Sequence, residues 1–176
     1  GDYVTWHSAV YDDLMVHIPQ NVLAALPGNF SEELENSLNS HLMDIGAQVL
    51  TAAEEALPRQ LSFFGIDMGQ LETPLEFWVV GDMYSGHTSS ANGLYYNCQQ
   101  LYIGAWIEAP DGTTAHELFH CFQNSLGMMG LTSIFDEKWM IEGGANVGEH
   151  IGLPQRNTEH NWYPPYASNP DISLFT

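Results

Sequence analysis

Residues 114–127 run Thr114-Ala115-His116-Glu117-Leu118-Phe119-His120-Cys121-Phe122-Gln123-Asn124-Ser125-Leu126-Gly127. Their spacing predicts a helix from about Thr114 to Leu126 that Gly127 ends. Positions four apart on a helix lie one above the other, so the imidazoles of His116 and His120 face the same point and can share one tetrahedral metal ion. Glu117, one step round, can reach a water on such an ion without ligating it. Ala115, Leu118, Phe119, Phe122 and Leu126 form an apolar side, and His116, His120 and Gln123 lie on the other. The histidines therefore belong to a polar stripe and not to a core. A competing structural reading is a capping box of Thr114 and Glu117, in which the glutamate only caps the helix. It leaves both histidines unexplained.

Outward from this helix the chain alternates between strand and helix signals. Residues 3–11 are β-branched and aromatic and read as a strand, as do residues 14–18. A short helical piece over 21–26 stops at Pro27-Gly28. Phe30 ahead of Ser31 supplies a staple and an N-cap, with Glu32 and Glu33 in the first turn of the longest helix. Its apolar positions Leu34, Leu38, Leu42, Ile45, Val49 and Ala53 recur every three to four residues, and Pro58 is expected to close it. Residues 75–80 read as a central strand, followed by a Gly/Ser/Asn-rich loop from Gly81 to Gly93. Residues 94–96 and 101–107 read as two strands of a hairpin about residues 97–100. Pro110-Asp111-Gly112 signals a turn ahead of the histidine helix. A further helix is expected from Trp139 to about His150, and the tail beyond Leu153, with Pro154, Pro164, Pro165 and Pro170, is loop-rich. Strands first and helices after point to an α+β fold, read as a single domain over residues 1–176 that is compatible with excision from a longer chain.

The composition narrows the function classes. The net charge is −19, from 3 basic and 22 acidic residues, and the bases are Arg59, Lys138 and Arg156. Nucleic acid and anionic membranes need clustered Lys and Arg, so neither is an expected partner. An acidic field favours cationic or neutral partners. No apolar run approaches the roughly 18–20 residues of a membrane helix, and no signal-peptide pattern stands at Gly1. So few bases also leave few sites for trypsin-like enzymes, which suits a protein living among proteases, and a secreted or extracellular location is expected. Cys98 and Cys121 form no CxxC motif; they are either two buried thiols or the single disulfide of a secreted protein. His7, His17, His41 and His87 show no ligand spacing and are expected outside the site.

A zinc site needs a third protein ligand and an open fourth position. The metzincin continuation places Gly and His three and six residues past the second histidine; Gln123 and Leu126 stand there instead, which excludes that class. Downstream comes Trp139-Met140-Ile141-Glu142-Gly143-Gly144-Ala145, with Glu142 22 residues after His120. HExxH with this WxxEGxA stretch resembles the gluzincins, zinc metallopeptidases of the peptidase MA clan that include aminopeptidases and bacterial collagenases. The resemblance covers residues 114–150 closely, and upstream only the order of elements.

It implies a zincin-like fold, a twisted mixed sheet packed on the HExxH helix and followed by a glutamate-bearing helix. It further implies one Zn2+ per chain held by His116, His120 and Glu142, with Glu117 as general base in hydrolysing a peptide or protein substrate. An edge strand, residues 94–96 or 101–107, would pair with the extended peptide. Asn146 occupies the place of a thermolysin-like Asp that orients a ligand histidine, with Glu149 as the alternate or else a plain solvent-facing carboxylate. A transition-state donor is also implied, for which Tyr163, Tyr166, His160 and His150 are available, each equally readable as an ordinary loop or helix residue. Gly143 would pack closely beside the ligand, and Gly144 would widen the cleft. The aminopeptidase GxMEN segment is broken, since Gly81-Asp82-Met83 leads into Tyr84 and Ser85, which favours an endopeptidase. The main alternative is a catalytically inactive zinc-binding domain acting as a protein-binding or scaffolding module. The intact Glu117 counts against it, as does the lack of cysteine ligand spacing. A third reading is a metal-free binding module with a chance HExxH.

Overall fold

The computed structural model describes residues 2–25, 27–81, 93–128 and 138–156. Ser31 begins the longest element: its hydroxyl accepts from the Leu34 N–H, satisfying one of the amides that a helix start leaves unpaired. That helix, α1 (Glu32–Phe64), carries Glu32, Glu33 and Glu35 in its first turn, where the helix dipole favours carboxylates. Pro58 does not close it, contrary to the sequence expectation. The helix runs on to Gly65, whose φ of 65° gives the left-handed cap. Interior proline costs about 3 kcal/mol, but the turn beyond it is held by tertiary contacts. Gln60 is fully buried there, and its amide donates to the Ala115 carbonyl at 2.9 Å and the Gly148 carbonyl at 3.0 Å.

Five strands form one mixed sheet, β1 (Asp2–His7), β2 (Leu14–Gln20), β3 (Leu75–Val80), β4 (Gly93–Tyr95) and β5 (Leu101–Gly104), in the order β1-β2-β3-β5-β4. The central pairs β2–β3 and β3–β5 are parallel, and the outer pairs are antiparallel. Period-two alternation sends Leu14, Val16, Ile18, Leu75, Phe77, Val79, Leu101 and Ile103 into the core. The expected hairpin is present, with β5 ending at Gly104 and not at 107, and β1 ends at His7 and not at 11. On the opposite face His17 joins three strands: Nδ1 lies 2.9 Å from the Thr5 hydroxyl and Nε2 2.9 Å from Glu76, with the ring stacked on Trp78.

The histidine helix, α2 (Pro110–Ser125), starts four residues earlier than expected, because Pro110 takes the first helical position, where its missing N–H costs nothing. It packs on α1 and on strands β4 and β5, and α3 (Lys138–Gly152) then lies across α1 and α2. The fold is thus α+β, with the helices on one face of a mixed sheet. Cys98 and Cys121 are joined as a disulfide, fully buried, with Cα atoms 5.5 Å apart. It ties the β4–β5 turn to the residue after His120 and closes a loop worth about 3 kcal/mol. Both described arginines brace the end of α3. Arg59 donates to the Gly152 carbonyl at 2.8 Å, and Arg156 pairs with Asp111 in the first turn of α2.

Gly148 makes the approach of α3 to α2 possible, since a methyl group there would overlap the Phe119 ring. Gly148→Ala should therefore lower stability by about 1–3 kcal/mol through overpacking, although alanine is the better helix former. Urea denaturation checks this; a variant as stable as the parent would contradict the close α2–α3 packing.

Candidate metal centre

Both faces of α2 are covered. Leu118 and Phe122 face the core, while His120 and Gln123, on the side expected to be polar and open, are 4% and 0% exposed. The reason is α3, which the periodicity of α2 cannot reveal. Leu126, placed on the apolar side, is 45% exposed beyond the helix end.

The imidazoles of His116 and His120 stand perpendicular with ring centroids 5.1 Å apart. Glu142, in the second turn of α3, brings its Oε2 to 3.3 Å from His116 Nε2 and 3.8 Å from His120 Nε2. One ligand atom from each residue lies within 4.8 Å of the others. A tetrahedral ion with ligands at 2.0–2.2 Å sets them about 3.4 Å apart, so the cluster has the dimensions of a metal site. Two imidazole nitrogens and a carboxylate oxygen, without thiolate, suit zinc and its first-row neighbours. Glu142 is 60% exposed, so the cluster opens to solvent on the α3 side.

Glu117 is 6% exposed beside this cluster. It does not take part in a capping box: Thr114 lies one turn inside α2 and its hydroxyl donates to the Pro110 carbonyl at 2.6 Å. What covers Glu117 is the edge strand β4. A Cβ on Gly93 would sit 2.5 Å from Glu117 Oε1 and 2.6 Å from Thr113 Cγ2, so only glycine lets the strand pass so near. Burial pushes the Glu117 carboxyl up to about 7, with His116 opposing the rise and Glu142 adding to it. Burial alone would lower His116, but the Glu142 hydrogen bond and the charges of Glu117, Glu142 and Glu149 raise it on balance. His120 is lowered, by burial first and then by His116. Three acidic side chains thus act on His116 and one of them, Glu142, also on His120, a negative potential that attracts a cation.

The residue bonded to His120, a candidate ligand, is one the sequence reading does not assign. Gln123 Oε1 lies 2.7 Å from His120 Nδ1, and Gln123 Nε2 donates to the Ile141 carbonyl at 2.8 Å. The available signal was its place three residues past His120, on the same helix face. Glu149, the alternate for that role, is buried and not solvent-facing; its carboxylate lies beside Gly112 in the first turn of α2. Asn146 is half-buried on α3. The roles expected for the two glycines are reversed. Gly143 has open space where a Cβ would stand, and Gly144 is the tight one, 2.7 Å from Gln123 Nε2. Tyr95 of β4 packs near His120, with ring centroids 5.6 Å apart, and burial and Glu72 push its hydroxyl up to about 12. Eight residues separate His150 from Glu142, about 12 Å along α3. His160, Tyr163, Tyr166, His87, Met83, Tyr84 and Ser85 lie outside the described residues. His41 is engaged elsewhere, with the Ala105 carbonyl and the Trp106 ring.

Compared with known proteins, the chain matches no family model, no characterised sequence and no solved structure. The arrangement of its own side chains therefore carries the functional reading. Titrated with Co2+ or Zn2+, the protein should take up about one ion per chain. The double variant His116→Ala/His120→Ala and the single variant Glu142→Ala should lose that uptake, while Glu149→Gln should keep it. Elemental analysis after gel filtration checks each, and full occupancy in the double variant would refute these ligands.

Proposed function

We propose that the protein is a zinc-dependent peptidase of gluzincin type with a zincin-like fold, acting as an endopeptidase. The observation that carries this is the convergence of His116 and His120 from α2 with Glu142 from α3, beside a buried glutamate that neither ligates nor caps. Zinc held by these three residues would supply Lewis acidity, making water acidic enough to attack and polarising the scissile carbonyl. Glu117 takes the proton from the attacking water and returns it to the leaving nitrogen. Its burial beneath β4 keeps bulk water from competing for that proton.

The sheet order supports the substrate side of the reading. β4 is an edge strand, and its first residue, Gly93, lies against Glu117. An extended peptide pairing with that edge would run close to the general base. The broken aminopeptidase segment about Met83, Tyr84 and Ser85 favours internal cleavage. The buried disulfide supports a secreted or extracellular setting. Among the described residues no helix is long and apolar enough to cross a membrane.

Glu117→Gln separates this reading from a zinc-binding scaffold. The near-isosteric amide fits beneath Gly93 but cannot accept the proton, so fold and metal content should be unchanged. Cleavage of a quenched peptide library should fall on the order of 10²–10⁴-fold, to the level seen with a zinc chelator. Retention of most activity would sink the proposed mechanism, and an inactive parent protein loaded with zinc would favour the scaffold.

A further inference from the structure

We propose that Gln123 is a positioning residue that sets both helices of the metal site at once, an inference that rests on reading His116, His120 and Glu142 as that site. The hydrogen bonds allow one assignment. The Ile141 carbonyl can only accept, so the group facing it at 2.8 Å is the amide nitrogen of Gln123. That turns the amide oxygen to His120 Nδ1 at 2.7 Å, and an acceptor at that distance requires a hydrogen on the ring nitrogen. A neutral imidazole protonated at Nδ1 keeps its lone pair on Nε2, the atom that stands 3.8 Å from Glu142 Oε2. Ile141 is the residue before Glu142, so the other half of the same amide anchors the backbone that presents the carboxylate. Gln123 is fully buried, which leaves no route for bulk water to replace either bond.

Gly144 gives independent support. A Cβ there would stand 2.7 Å from Gln123 Nε2, while the next nearest atoms, Gln123 Cδ and Phe119 Cε1, are both at an ordinary 3.9 Å. The missing side chain makes room for the Gln123 amide and for nothing else. Gly144 and Gln123 form a keyed pair, and the key fits only when the amide is turned toward His120 and Ile141.

The test uses the full chain. In metal-free protein labelled with 15N-histidine, His120 should be the Nδ1–H tautomer at a pH where it is neutral, its signal identified by loss in His120→Asn. Gln123→Ala, the volume-conserving Gln123→Met and Gly144→Ala should each weaken Co2+ binding by about 10–100-fold against a chromophoric chelator. Gly144→Ala should cost nothing further in the Gln123→Ala background, because the methyl occupies the space that the amide vacated. An Nε2–H tautomer in the metal-free parent would overturn the proposal even if no variant folds. Parent-like metal affinity in the Gln123 variants, or an equal loss from Gly144→Ala in both backgrounds, would overturn it alone. Absence of metal binding by the parent would overturn the metal site and this inference with it.

Discussion

The distance between α2 and α3 governs the rest of the structure. Glu142 reaches the two imidazoles only because α3 lies against α2 without side chains at Gly144 and Gly148, where either the Gln123 amide or the Phe119 ring fills the space. Helices separated by ordinary side chains pack 8–10 Å apart, and a glutamate side chain is too short to make up much extra separation. Each interior glycine weakens a helix by about 1 kcal/mol relative to alanine. The Phe119 contact, the bonds of Gln123 and Gln60 to α3 carbonyls, and the arginines at its end offset that cost. Local helix preference is given up for a tertiary contact, and the contact assembles the candidate site.

Charge follows the same logic. Buried carboxylates are costly unless something compensates them. Glu117 is buried near two imidazoles and the more exposed Glu142. The chain has only 3 Lys and Arg in all, and Arg59 and Arg156 are engaged in other pairs. A divalent cation at the cluster would relieve this concentration of negative charge, in keeping with the proposed zinc. The sheet joins the site by two routes. The disulfide fastens the β4–β5 turn beside His120, and Gly93 lays the edge strand over Glu117. The candidate ligands, the proposed general base and the proposed peptide-binding edge are therefore tied together by these two contacts.

Much of this was legible in the residues. The i, i+4 spacing of His116 and His120 places both rings on one helix face whatever surrounds it, and the HExxH and WxxEGxA pairing marks Glu142 as the third candidate ligand. Period two in residues 75–80 and period three to four after Ser31 gave β3 and α1 their places, because local sterics set both repeats. The proline positions were misread for the opposite reason. Pro58 is a local stop signal overridden by the buried Gln60 after it, whose amide bonds carbonyls of α2 and α3, and Pro110 begins a helix where a turn was expected.

By itself the sequence determined the elements, the shared face of the two histidines and the candidates for ligand and base, since these follow from backbone geometry and donor chemistry. Only the tertiary structure decided that Gln123 bonds His120, that Gly144 and not Gly143 is the crowded glycine, and that Cys98 meets Cys121. It also decided that the polar face of α2 is buried. Each of these depends on a second element arriving from elsewhere in the chain, and periodicity within one helix carries no information about what will be packed against it.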